Sequence, residues 1–186
     1  HLLLAFALFG LALWTAFGHK FGFPDSGRPA KWSLPSKLAL VSFILLIVQI
    51  SYGGMTAGLK AGHVSDTWPM MFGKLIPPNL FNSWINFFET PQTIVFIHRW
   101  FAFVVFIAVA ALYFAARKQS NSIEIKNGLN WLLALVIFQI VLGILTVVLH
   151  VPLAIALAHQ AGALGLFALT IYFIHRLRAR DSLGLR

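Results

Sequence analysis

Residues 93–116 read TIVFIHRWFAFVVFIAVAALYFAA, and Arg117 and Lys118 close the run. At 1.5 Å per residue it makes a helix of about 36 Å, enough to cross a hydrocarbon core of about 30 Å. A surface helix of a soluble protein carries one apolar stripe, whereas this segment is apolar on every face except at His98 and Arg99. Its solvent is lipid. The rest of the 186-residue chain agrees: 59% of it is hydrophobic and only 10% charged, against roughly 25% charged in a soluble domain. That composition excludes a secreted disulfide scaffold, a disordered tail and an ordinary cytosolic enzyme. The chain has no cysteine, so disulfides, thiolate metal sites and cysteine nucleophiles are excluded as well.

Four further apolar segments lie on either side: His1–Gly18, Leu38–Leu59, Leu129–His150 and Pro152–His175. Helices are the expected form, because an open strand edge in lipid leaves backbone groups unpaired. The expectation is an all-α, polytopic membrane bundle of five transmembrane helices. Residues 1–18 form one helix and 19–37 a cytoplasmic linker. Residues 38–176 form a four-helix bundle with an outer loop at 60–92, and 177–186 a basic cytoplasmic tail. Eleven of the fourteen Lys and Arg residues fall in 19–37, 117–128 and the C-terminal stretch from Arg176 onward. This bias puts those segments on the cytoplasmic or matrix face, with the N-terminus outside and the C-terminus inside. The net charge of +9 therefore reads as a topology signal rather than a nucleic-acid surface. The chain starts at His1 without a basic n-region, so the native polypeptide is expected to extend upstream.

An ionisable side chain inside a membrane helix is a functional hypothesis by default. Counted from the outer face, His98 lies roughly 8 Å and His159 roughly 10 Å along their helices. Two imidazoles at matched depth can meet across a bundle and bind a haem iron axially, with apolar walls around the macrocycle. Ala102, Gly162 and Ala163 share the histidine faces and let a flat ring approach. Arg99 is placed to pair with a propionate. The competing reading makes His98 and His159 interhelical hydrogen-bonding residues, with Arg99 snorkelling outward. Zinc fits less well, since no third or fourth ligand lies at that depth.

Other features carry weaker signals. Laying His1 on His159 aligns Ala5, Leu8, Phe9 and Leu11 with Ala163, Leu166, Phe167 and Leu169, which suggests that the first helix closes an earlier half. Gly54 and Gly58 form a GxxxG pair read as close helix packing. Gln49 and Gln139 fall mid-membrane and read as bundle glue. Asn79–Glu89 could lie in the interface as an amphipathic helix.

Gly54-Met-Thr-Ala-Gly-Leu-Lys-Ala-Gly62 and Asp66-Thr-Trp-Pro69 resemble the loop signature of the haem A synthase family. The likeness continues through Phe96-Ile-His-Arg99, Leu142-Gly-Ile-Leu-Thr146 and Leu157-Ala-His-Gln-Ala-Gly-Ala-Leu164, in the family's order and spacing. It covers the C-terminal half of an eight-helix fold plus the preceding helix. The resemblance implies that His98 and His159 ligate a haem b. It makes His1 one of the two ligands of the substrate haem, its partner lying upstream. It also implies an oxidoreductase that converts the ring methyl of haem O to a formyl group, giving haem A for cytochrome oxidase. Two hydroxylations would give a geminal diol that loses water. Implied partners are haem O, membrane lipid, a ferredoxin-like or quinol electron donor, and a haem O synthase. The cysteine pairs of some members are missing here, which removes any thiol step. The bacterial cytoplasmic membrane is expected ahead of the mitochondrial inner membrane. Without its partner for His1, this stretch alone is expected to be inactive. The alternative is a membrane haem b electron-transfer protein or haem carrier without catalysis.

Overall fold

The structure, a computed structural model, describes residues 1–24 and 31–182. Asp25, Arg28 and Arg186, which contribute to the charge pattern above, lie outside the described residues. Among the described residues six α-helices follow one another: α1 Leu2–Phe21, α2 Leu34–Gly58, α3 Asn86–Glu89, α4 Pro91–Gln119, α5 Ile123–Val148 and α6 Leu153–Ser182. All but α3 are long and apolar enough to cross a membrane. The protein is an all-α polytopic membrane bundle, as the composition requires.

Because these helices are apolar all round, hydrophobicity does not choose their inner faces. Spacing and size do. The buried positions of α4 include Val105, Val109, Leu112 and Ala116, and those of α5 include Ile125, Leu129, Leu132, Val136 and Gln139. Steps of three and four residues keep one seam facing the partner helix. On α2 the first part of the seam is built from smaller groups, Ser36, Ala39 and Ser42, which lets the backbones approach. Bulky side chains such as Ile107, Phe114 and Trp131 point outward, where lipid is the solvent. Helix α2 packs on α4, α4 on α5, α5 on α6, and α6 back on α2, closing a four-helix ring. Helix α1 lies outside this ring against α6, with Phe6 edge-on to Phe167 at 5.0 Å and Trp14 edge-on to His175 at 5.0 Å.

The spanning helices run past their apolar segments. Helix α6 continues through Arg176, Arg178 and Arg180 to Ser182, into the stretch read as a tail. Hydrogen bonding along the backbone does not stop at the first charge, and here the charges are held. Arg176 reaches Glu124 at 3.3 Å and lies over the Phe21 ring, while Arg178 covers Trp32. Arg180 bonds Ser120. Asp181 accepts the Ser33 N–H at 3.0 Å and the Ser36 hydroxyl at 2.6 Å. It thereby ties the end of α6 to the start of α2, where Ser33 also caps the helix through the Ser36 N–H. We call this the basic end of the bundle.

At the opposite end, residues 59–90 form a folded loop. The interfacial helix expected over Asn79–Glu89 is confined to α3, and the stretch before it is a series of turns. Loop carbonyls instead bond to α4: Thr93 Oγ1 donates to Leu80 at 2.8 Å, and Arg99 reaches Ser65 and Thr67. Met71, Ala61 and Val95 make a small second core beneath it.

Candidate functional site

His98 stands two turns into α4 and His159 just under two turns into α6. Both helices start at the loop end, each behind a proline, Pro91 within the first turn of α4 and Pro152 just before α6. The two histidines therefore lie at the same level. Their ring centres are 6.3 Å apart, with the planes perpendicular at 90°. A metal–imidazole bond of about 2 Å puts a metal about 3 Å from each ring centre, so one iron shared by two rings needs about 6 Å between centres. The residues present fit an axial pair on that test.

The seats of the two rings are alike. A Cβ on Gly53 of α2 would stand 3.0 Å from His98 Cε1, and one on Gly143 of α5 would stand 3.3 Å from His159 Cε1. Each imidazole thus lies over a bare stretch of neighbouring helix backbone that any other residue would crowd. The buried Nδ1 of His159 has no hydrogen-bond partner. His98 Nδ1 stands 3.2 Å from the side-chain nitrogen of Gln49, which also donates to the His98 carbonyl at 2.9 Å. Among the described residues, no group of three or more His, Cys, Asp and Glu is placed to hold a metal ion. The pair offers two ligands to a metal whose other bonds come from elsewhere, as in a porphyrin.

The remaining residues singled out in the sequence are placed as follows. The Arg99 guanidinium is buried and donates to the Ser65 carbonyl at 2.6 Å and the Thr67 carbonyl at 2.9 Å, while its Nε has no partner. It anchors the loop over the histidine level, helped by Trp68, which stacks on Phe103 at 6.2 Å. Gly162 turns toward the Gln139 side chain, which occupies the space a Cβ would need. His1 is exposed at the loop end of α1 beyond the four-helix ring, where the adjacent Leu2 meets Gly54. Gly54 and Gly58 do not make a helix-packing pair: Gly54 faces Leu2, and Gly58 faces open space. His150 pairs loosely with Asp66 at 3.7 Å on the exposed surface of the loop end.

Gln49, Gly53 and Gly143 escaped the reading as members of the histidine site. A signal for them exists in the sequence. Gln49-Ile-Ser-Tyr-Gly53 and Gln139-Ile-Val-Leu-Gly143 repeat the pattern Gln-Ile-x-x-Gly on the two helices that face the histidine helices.

The model of a family described as cytochrome oxidase assembly protein matches residues 1–171. Among curated relatives, the haem A synthase of Rhizobium rhizogenes is 37% identical over 92% of this chain and 47% of its own length. That of Wolbachia pipientis is 36% identical over 98% of this chain and 51% of its own length. That of Flavobacterium psychrophilum is 37% identical over 95% of this chain and 52% of its own length. The chain spans about half the length of the curated relatives it matches. No solved structure matches it significantly. The matched stretch takes in α1, α2 to α5, most of α6 and both histidines, and the chain accordingly belongs to the family of cytochrome oxidase assembly proteins that contains the haem A synthases.

Proposed function

We propose that this chain holds a haem b between His98 and His159 and serves the oxidation of the haem O ring methyl to the formyl group of haem A. The observation that supports this reading is the 6.3 Å separation of two depth-matched rings, each seated on a glycine of a neighbouring helix. Held by His98 and His159, such a haem would supply one-electron transfer rather than oxygen activation. The chain's own residues do the rest. His98 and His159 present their imidazoles from opposite sides of the ring of helices. Gly53 and Gly143 leave the space the imidazoles take. Arg99, Trp68 and the loop they hold cover the histidine level and limit water there. His1 belongs to the substrate haem rather than to this pair, Arg99 acts through the loop carbonyls it holds, and Gly162 makes room for the Gln139 side chain beside the site.

A haem b held by His98 and His159 would supply one-electron chemistry for the haem O site, with a ferredoxin-like or quinol donor as the electron source and a haem O synthase as the source of substrate within the membrane. The basic end faces the cytoplasm and the loop end the outside of a bacterial cytoplasmic membrane, following the charge bias. Two measurements test this. A pyridine haemochrome spectrum of the detergent-purified chain should report one b-type haem per chain in wild type and its loss in His98→Ala and His159→Ala. Chromatography of haems from cells that make haem O should show haem A rising when the intact protein containing this chain is expressed. A folded wild-type chain without haem overturns the cofactor assignment. Haem b without any gain in haem A from the intact protein overturns the oxidation and leaves a haem carrier.

A further inference from the structure

Helix α5 ends and α6 begins across one tight turn. The N–H of Val151 donates to the Thr146 carbonyl at 2.7 Å and that of His150 to the Val147 carbonyl at 3.1 Å, a pair of bonds that usually closes a helix on glycine. This turn has no glycine. His150 and Val151 both take a positive φ, 60° and 59°. For a β-branched residue that backbone is an outlier, and it persists only where the surroundings hold it. The outer loop holds Val151: its Cγ2 lies against Gly62, where an added Cβ would stand 3.2 Å away. The neighbouring pair of His150 with Asp66 is exposed at 3.7 Å and adds little.

The same stretch of loop is fastened to α4. Arg99 holds the carbonyls of Ser65 and Thr67, and Ala61 is buried against Val95, one turn before Arg99. Residues 61–67 therefore run from α4 beside His98 to the turn that starts α6. Helices α4 and α6 face each other across the ring, each packed on α2 and α5 rather than on the other. We propose that residues 61–67 are a strap that sets the gap between the His98 and His159 rings, with Val151 as the positioning residue on the α6 side. This rests on the haem reading above. His159 lies eight residues beyond Val151, about 12 Å along one rigid helix, so a shift at the turn is carried to the ring. Metal–nitrogen bonds keep their length to within about 0.2 Å, so an iron shared by two rings tolerates little change in the 6.3 Å between them. Glycine at 151 would relax the turn and let go of Gly62. Valine there gives up stability for placement.

The test compares wild type with Val151→Gly, Val151→Thr, Gly62→Val and His150→Gly, as full chains in detergent. It reads melting curves before and after haem loading, haem transfer to excess apomyoglobin, and the spin state of the ferric iron. Glycine suits a positive φ, so Val151→Gly should raise the melting temperature of the unloaded chain by a few degrees. The same variant should lose haem about tenfold faster and show high-spin iron, because the gap is no longer held. Gly62→Val crowds the contact from the other side and should show the same change of spin state. Val151→Thr keeps the branched shape and should behave as wild type. His150→Gly relaxes the other strained residue while Val151 stays on the strap, and should raise the melting temperature with haem retention intact. A merely structural Val151 moves stability and haem retention together. A Val151→Gly chain in which both rise or both fall, or which holds haem as wild type does, overturns the proposal. So does a wild-type spectrum in Gly62→Val, or haem loss in His150→Gly as fast as in Val151→Gly. A folded wild-type chain that binds no haem overturns the haem reading itself, and this proposal with it.

Discussion

Replacing Gly53 by alanine asks whether the seat of His98 is as tight as its geometry says. The new Cβ would stand 3.0 Å from His98 Cε1, where ordinary contact begins at 3.4 Å, so the ring must give way by several tenths of an ångström. Overpacking of that order costs about 1–3 kcal/mol. Alanine in mid-helix returns about 1 kcal/mol relative to glycine. Helix stability therefore changes little, and the strain falls on the ligand geometry. A loss of about 1.4 kcal/mol there corresponds to about a tenfold weaker haem complex. Gly143→Ala is milder, since its Cβ stands 3.3 Å from His159 and a shift of about a tenth of an ångström relieves it. Helix propensity should win there, with the melting temperature raised and haem affinity within about twofold of wild type. Gly58→Ala faces open space and serves as the control. The assay is haem transfer from each loaded variant to excess apomyoglobin, followed at the Soret band. Retention ordered Gly58→Ala, then Gly143→Ala, then Gly53→Ala supports the reasoning. Wild-type retention in Gly53→Ala, or a larger loss in Gly143→Ala, refutes it.

Three other expectations follow from the same contacts. Arg99→Ala removes two charge-assisted bonds to loop carbonyls, each about 1.5–3 kcal/mol, and hydrogen exchange over residues 64–70 should speed by at least tenfold. Arg99→Lys should not restore protection, because a single ammonium lacks the planar fork that reaches both carbonyls. Asp181→Ala unties the end of α6 from Ser33 and Ser36 and should lower stability in detergent by about 1–3 kcal/mol, read from thermal unfolding. Because the chain has no cysteine, Leu75→Cys and Lys118→Cys supply clean labels for orientation. An impermeant maleimide added to right-side-out vesicles should reach position 75 and miss position 118.

The five spans are legible because lipid as solvent makes composition nearly sufficient, and a run such as 93–116 has no other stable home. Their ends are less so. Apolar content stops at Ala116 and His175, whereas helix hydrogen bonds continue through Gln119 and Ser182 once Arg117, Arg176 and Arg180 find partners. Depth is a matter of counting residues along a helix, and the count alone pairs His98 with His159. Rotation about the helix axis is not. Which glycine faces a ring depends on how α2 turns against α4, and one residue of rotation, about 100°, separates Gly53 from Gly54. The GxxxG spacing points to Gly54 and Gly58, whereas the ring rests on Gly53. For Asn79–Glu89, the aromatic residues suggest an interfacial helix. There, Leu80 instead supplies a backbone carbonyl to Thr93, and Phe81 packs edge-on against Phe96 of α4, which fixes turns in place of a helix.

The most direct test of the account is the electron paramagnetic resonance spectrum of the ferric chain, with His98→Ala and His159→Ala beside it. Two imidazoles on one iron give a low-spin signal, and planes 90° apart give the strongly anisotropic form of it rather than the rhombic form of parallel rings. The account predicts that anisotropic low-spin signal at one haem per chain, replaced by high-spin iron or lost in each single variant. A low-spin signal that survives either substitution, or no haem in a folded wild-type chain, contradicts it.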